Sequence, residues 1–119
     1  MKILDGQEYK VQIRNDDGKP GAATVKGSIV GPFGIADNQA GEGHEDEGCY
    51  RVTHLHSGLK VAQLASPYRD RCIAAAAELA ERAPFWASHK PSRIESENGL
   101  EGGRLRFLVD EIARKHGCG

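Results

Sequence analysis

Hydrophobic and polar residues alternate along the first half of the chain in the two-residue period that is typical of half-buried β-strands. The pattern predicts strands at residues 9–13, 50–56 and 59–64, and a weaker strand at residues 24–30 that Gly27 interrupts. Valine, threonine and tyrosine, which suit a pleated surface, are frequent in these segments. The alternation therefore predicts an antiparallel sheet of about four strands.

A tight hairpin is expected within this sheet. Ser57 and Gly58 separate the predicted strands at residues 50–56 and 59–64. Glycine readily adopts the positive φ that a two-residue hairpin turn requires. We therefore expect these two strands to pair with each other.

After the hairpin the hydrophobic period changes to that of an α-helix, predicted at residues 66–83. Ser66 and Pro67 are a favourable helix start, because a serine oxygen can accept a free backbone N–H and proline is tolerated in the first helical position. Pro84 ends the pattern. The residues expected to form the core where this helix meets the sheet are Val61, Ile73, Ala76, Leu79 and Ala80.

The last third of the chain contains three predicted segments. We expect residues 84–86 to form an apolar plug over the sheet or over the end of the helix. Residues 89–103 carry several turn signals and are expected to be irregular. From Arg104 onward the apolar residues fit a second amphipathic helix. Alternation over residues 105–109 also fits a strand, which is the competing interpretation.

Composition points to one small domain. The chain has 119 residues, of which 39% are hydrophobic and 28% charged, so we expect a single compact α+β domain over residues 1–119. No segment approaches the length of a membrane span, and the N-terminus lacks the apolar run of a signal peptide. The three cysteines (Cys49, Cys72 and Cys118) lack CxxC spacing, which favours reduced thiols. We therefore expect a cytoplasmic protein without a membrane partner.

Residues 37–48 are rich in glycine and acidic side chains. This composition predicts a mobile surface loop. Its acidic residues are Glu42, Glu45, Asp46 and Glu47.

Candidate metal ligands are concentrated in the same region, and zinc uses these residue types. They are His44, Cys49, His54, His56 and Cys72. Their spacing matches no standard structural zinc site, and a solvated histidine pair is the alternative explanation. We therefore predict that the protein holds no metal and no cofactor, and treat a zinc-dependent domain as the less favoured alternative.

Motifs for catalysis are missing from the sequence. Ser57 lacks the G-x-S-x-G context of a nucleophile elbow, and Cys72 lies among alanines, where a thiol behaves as a small hydrophobic group. No glycine-rich phosphate-binding motif is present. We therefore predict no catalytic residues and a protein that is not an enzyme.

A basic group at the start of the predicted helix is the strongest candidate binding site. Tyr68, Arg69 and Arg71 fall there, with Arg51 and Lys60 as expected neighbours. Cations at a helix start oppose the helix dipole, so helix stability alone does not account for them. Two guanidiniums, an aromatic ring and free N–H groups can bind an anion, and charge reversal at both arginines should then weaken binding without lowering stability. The alternative is that the arginine stems cover apolar surface while their charged ends stay in water.

The pattern YRVTHLHSGLKVAQ, followed by an alanine-rich helix, resembles small accessory proteins carried by bacteriophages and plasmids. The resemblance implies a protein that binds one host protein or nucleoprotein complex, in some cases inhibiting restriction or CRISPR machinery, and it assigns no site residue. Our leading hypothesis is accordingly a non-catalytic interaction protein. The alternative is a small nucleic-acid-binding module that uses the basic group. The sequence makes no prediction of oligomeric state.

Overall fold

The computed structural model describes residues 2–14, 17–37, 49–88 and 90–118. Within these ranges the chain forms five strands and three helices. The strands are β1 (Ile3–Arg14), β2 (Pro20–Val30), β3 (Phe33–Ala36), β4 (Tyr50–His54) and β5 (Lys60–Ser66), and the helices are α1 (Arg69–Arg82), α2 (Pro91–Glu97) and α3 (Arg104–Lys115). The predicted α+β class is confirmed, with one strand and one helix more than expected.

The five strands form one antiparallel sheet in which each strand pairs with the next along the chain, in the order β1-β2-β3-β4-β5. The predicted hairpin is confirmed, because β4 pairs with β5 and Gly58 has a φ of 72°. Its connection is longer than the expected two residues. Strand β4 already ends at His54, whose N–H donates to the carbonyl of Leu59, and β5 begins only at Lys60.

Strand β3 was not predicted from the sequence. The strand is four residues long, and Phe33, Gly34 and Ile35 are all buried. A strand buried on both faces shows no alternation of polar and apolar residues. The period-two pattern therefore could not reveal it.

Strands β1 and β2 are longer than predicted and curl back across the sheet. The backbones of β2 and β3 approach closely at Gly27, since a Cβ there would lie 2.1 Å from the backbone oxygen of Ile35 in β3. Near the far end of β1, the N–H of Gln12 donates to the carbonyl of Gly58 at 2.8 Å, and its side-chain amide donates to the carbonyl of Ser57 at 2.6 Å. The first strand thus reaches the β4–β5 turn.

Helix α1 packs on one face of the sheet and forms the main core. Its small side chains allow a close approach to the strands. The predicted core residues Ala76, Leu79 and Ala80 are buried, whereas Val61 and Ile73 are half-buried and pack against the core. The largest buried side chains facing them from the strands are Val30, Phe33, Ile35, Val52 and Leu64.

The helices correct two expectations and confirm a third. Helix α1 begins at Arg69, not at Ser66, which ends β5 and accepts the Tyr68 N–H at 3.1 Å. The segment expected to be irregular contains α2, with Pro91 in its first turn. Residues 105–109 are helical, so α3 settles the choice between helix and strand.

Helices α1 and α3 run antiparallel to each other. Glu78 of α1 bonds to Lys115 and His116 near the end of α3, and Arg82 contacts Glu111 one turn earlier in α3. This packing brings the end of α3 to the start of α1. None of the helices described here is long and apolar enough to cross a membrane.

Candidate functional site

Tyr68 and Arg71 form an exposed pair at the start of α1. Tyr68 occupies the N-cap position in an extended conformation and makes no side-chain capping hydrogen bond. The ring is 60% exposed, and the guanidinium carbon of Arg71 lies 4.7 Å from its centroid. This is cation–π geometry, which orients the guanidinium without removing it from solvent.

Arg71 also contacts the end of α3. A Cβ added at Gly117 would lie 2.7 Å from Nη1 of Arg71, so the guanidinium packs directly against the Gly117 backbone. The carbonyl end of a helix carries partial negative charge and favours a cation. The opposition to the α1 dipole that the sequence suggested is therefore offset by α3. Only the tertiary packing of the two helices reveals this.

The guanidinium of Arg69 is hydrogen-bonded within the protein. Its Nε donates to the carbonyl of Ala36 at 3.1 Å, and its Nη2 donates to Oδ1 of Asp37 at 2.9 Å. The same Nη2 donates to the hydroxyl of Ser28 at 2.5 Å. The arginine side chain is only 25% exposed. Arg69 thus ties the start of α1 to the neighbouring strands, and its part in binding a partner stays a prediction.

The Arg69 contacts extend into a polar network beneath α1. Ser28 is fully buried and donates its hydroxyl proton to Oδ1 of Asp5 at 2.6 Å. Tyr9 lies within electrostatic range of Arg69 and Asp37. Burial raises the pKa of Tyr9 to about 12, with a smaller contribution from Asp37, while Arg69 acts in the opposite direction. The network joins β1, β2 and the residue after β3 to the helix start.

The two expected neighbours do not join the Tyr68–Arg71 pair. Lys60 begins β5, roughly 20 Å along the strand from Ser66, which immediately precedes the helix start. Arg51 pairs with Ala65 and alternates with core-facing residues, so it lies on the sheet face opposite α1. The predicted basic residues therefore lie at three places, which are the start of α1, the first position of β5 and the sheet face opposite α1.

A further exposed cation, Arg114, lies at the same end of α3 as Gly117 and was not predicted. Arg114 is exposed in the last turn of α3, and its carbonyl accepts the N–H of Gly117, the residue against which Arg71 packs. We call Tyr68, Arg71 and Arg114 the α1/α3 surface. Sequence reasoning did not single out Arg114, because only the antiparallel packing of α1 and α3 brings the end of α3 to the start of α1.

The His54 ring is held by hydrogen bonds within the protein. Its Nε2 lies 2.6 Å from the carbonyl oxygen of Trp86 and therefore carries a proton, while Nδ1 lies 2.9 Å from the hydroxyl of Ser57. The Ser57 oxygen also accepts the N–H of Leu59. Both imidazole nitrogens are thus occupied by the protein in this conformation. His56 is exposed, and its ring centroid lies 6.1 Å from that of His54.

Among the described residues, no group of three or more His, Cys, Asp or Glu side chains is arranged to hold a metal ion. His44 lies outside these residues, as do the predicted acidic residues of the 37–48 segment, which are Glu42, Glu45, Asp46 and Glu47. The absence of a metal and of a cofactor stays a prediction. Asp37, the first residue of that segment, is described and pairs with Arg69.

No protein-family model, curated protein or solved structure matches this chain. The resemblance of residues 50–63 to phage and plasmid accessory proteins therefore stays a prediction.

Proposed function

We propose that this protein is a non-catalytic interaction protein that binds an acidic patch on a partner protein through the α1/α3 surface. The observation that carries the proposal is the exposed Tyr68 ring with the Arg71 guanidinium held over it. Tyrosine and arginine are among the residue types most enriched at binding hot spots. An exposed pair of this kind offers both an apolar surface and a charge.

The geometry lowers the cost of binding. Arg71 contacts the Tyr68 ring on one side and the Gly117 backbone at the end of α3. Ordering a long side chain in an interface costs about 0.5–1.5 kcal/mol, and contacts that already restrict it reduce that cost. A restricted guanidinium can present its N–H groups to a carboxylate in the bidentate arrangement that such pairs favour.

The sign of the local charge indicates the partner's chemistry. Arg71 and Arg114 are exposed, and no ion pair involving either of them occurs among the described residues. The neighbouring Lys115 is paired with Glu78 at 2.9 Å. Carboxylates of a partner are therefore the expected counterparts of the two arginines. Following the resemblance described above, we propose that the partner belongs to a host protein or nucleoprotein complex.

A nucleic-acid-binding module is the second candidate, because the same arginines could contact phosphates. Neutralising phosphates releases counterions, so such binding weakens steeply and regularly with salt. An interface centred on Tyr68 and a few carboxylates depends much less on salt.

The test is affinity capture from a cell extract with the full chain as bait, with and without nuclease and across a salt series. We expect one protein to be retained after nuclease treatment by the wild type and lost by Arg71→Glu. Lys60→Glu, the same charge reversal at the far end of β5, is the matched control and should retain it. Capture that disappears with nuclease favours the second candidate. Equal capture by both variants would contradict the use of the α1/α3 surface.

A further inference from the structure

Tertiary packing brings Cys72 and Cys118 together where the start of α1 meets the end of α3, and Cys49 also lies within electrostatic range of Cys72. Cys72 is fully buried in the second turn of α1, and Cys118 is half-buried just after α3. The sulfur of Cys118 lies 3.9 Å from the carbonyl oxygen of Arg71, the residue before Cys72. Besides burial, Cys118 raises the pKa of the Cys72 thiol, so the two side chains lie within interaction distance of each other. They are thus neighbours although they lie far apart in the sequence.

The backbone holds both residues in place. Cys72 is within a helix and its thiol faces the carbonyl oxygens of Tyr50 and Leu64, at 3.5 and 4.0 Å. The N–H of Cys118 donates to the carbonyl of Ala113 at 2.7 Å. Hydrogen bonds within the protein therefore hold the backbone positions of both cysteines.

We propose that Cys72 and Cys118 are a redox pair that a small-molecule disulfide, such as oxidised glutathione, converts into an intramolecular disulfide. In the first step the thiolate of Cys118, the more accessible residue, attacks one sulfur of oxidised glutathione, which breaks the S–S bond and releases one glutathione thiolate. In the second step the Cys72 thiolate attacks the Cys118 sulfur and releases the second glutathione. The protein loses two thiol protons and two electrons, and the glutathione disulfide is reduced to two thiols.

The surroundings make this reaction slow at neutral pH. Burial raises the pKa of the Cys72 thiol to about 12, and burial also raises the pKa of Cys118, although Cys72 and Arg71 act in the opposite direction there. Few thiolates are therefore present, and the attack should accelerate as the pH rises. The bond, once formed, joins the end of α3 to the start of α1 and restricts the unfolded chain, so it should stabilise the fold.

The experiment treats the full-length wild-type protein with oxidised glutathione at mildly alkaline pH, blocks the remaining thiols and maps disulfides by mass spectrometry. We expect a monomer that has lost two hydrogens, with Cys72 and Cys118 in one cross-linked peptide and Cys49 blocked as a free thiol. The melting temperature should rise by roughly 5–15 °C and return to its starting value on reduction.

The control is Cys118→Ser. Under the same treatment it should form no intramolecular disulfide, and its melting temperature should not rise. Cys49→Ser should behave as the wild type does. A stable glutathione adduct on Cys118, a disulfide that includes Cys49, or unreacted thiols after prolonged alkaline treatment would each overturn the proposal. Because the mapping is done on the wild type, it does not depend on any variant folding.

Discussion

Arg69 and Asp37 form an ion pair with 2.9 Å between Nη2 and Oδ1, which ties the first residue of α1 to the residue that follows β3. Replacing Arg69 with alanine removes this pair together with hydrogen bonds to Ala36 and Ser28. Because Ser28 is fully buried, we expect the free energy of unfolding to fall by about 1–3 kcal/mol. Urea unfolding followed by circular dichroism measures it.

Arg71→Ala is the matched control for that experiment. Its side chain is exposed and lies on the other side of the helix start, so its loss should change stability by less than about 1 kcal/mol. The sequence predicted that charge reversal at both arginines would not lower stability. We now expect this of Arg71 alone, because Arg69 is bound within the fold. Equal stability of the Arg69→Ala variant and the wild type would show that the ion pair contributes nothing to the fold.

Glu78 gives the protein a defined response to acid. Hydrogen bonds from Lys115, then His116 and Arg82, hold the pKa of Glu78 at about 2, below the usual value of 4.5. A carboxyl group with a lowered folded-state pKa contributes stability that is fully present above its unfolded pKa and is lost as the pH falls through the folded pKa. We expect about 1–2 kcal/mol of stability to disappear between roughly pH 4.5 and 2, since the group is partly solvated.

Glu78→Gln should abolish this loss, so that its stability changes less than that of the wild type over the same pH range. Glu81→Gln, at an exposed glutamate of the same helix, is the control and should follow the wild type. Denaturant melts at several pH values make the comparison. If the stability of Glu78→Gln and that of the wild type fell in parallel with pH, Glu78 would not be the cause of the loss of stability in acid.

Gly27 sets the distance between β2 and β3. A methyl group at this position would lie 2.1 Å from the backbone oxygen of Ile35, and a backbone atom cannot move aside as a flexible side chain can. Gly27→Ala should therefore cost about 2 kcal/mol or more in unfolding free energy. Lys26→Ala, at the exposed neighbouring position, should cost less than about 0.5 kcal/mol. Thermal melts of both variants test this, and a Gly27→Ala protein as stable as the wild type would refute it.

Local patterns were sufficient to predict the β4–β5 hairpin, the first helix and the α+β class. They failed where the deciding contact is distant in sequence or where burial removes the pattern. Strand β3 is buried on both faces and gives no alternation, and the partner of Arg69 is 32 positions away. The same limit applies to the candidate site, because the end of α3 reaches Arg71 only through the antiparallel packing of two helices.

The binding surface itself is tested by changing its aromatic residue. Tyr68→Ala should weaken partner binding by about tenfold or more, because it removes an exposed ring and the surface that orients Arg71. Its effect on stability should be small, since the ring makes no capping hydrogen bond. Tyr68→Phe keeps the ring and should keep most of the affinity. Equal losses in the two variants would show that the hydroxyl, and not the ring, is what the partner contacts.

The most direct measurement is the dissociation constant of the captured partner for three proteins: the wild type, Arg71→Glu and Lys60→Glu. We predict that Arg71→Glu binds the partner at least about tenfold more weakly than the wild type does, while its melting temperature stays close to that of the wild type. Lys60→Glu, which makes the same change in net charge at a distant position, should bind as the wild type does. A well-folded Arg71→Glu protein with unchanged affinity, or an equal loss in Lys60→Glu, would contradict the assignment of the α1/α3 surface.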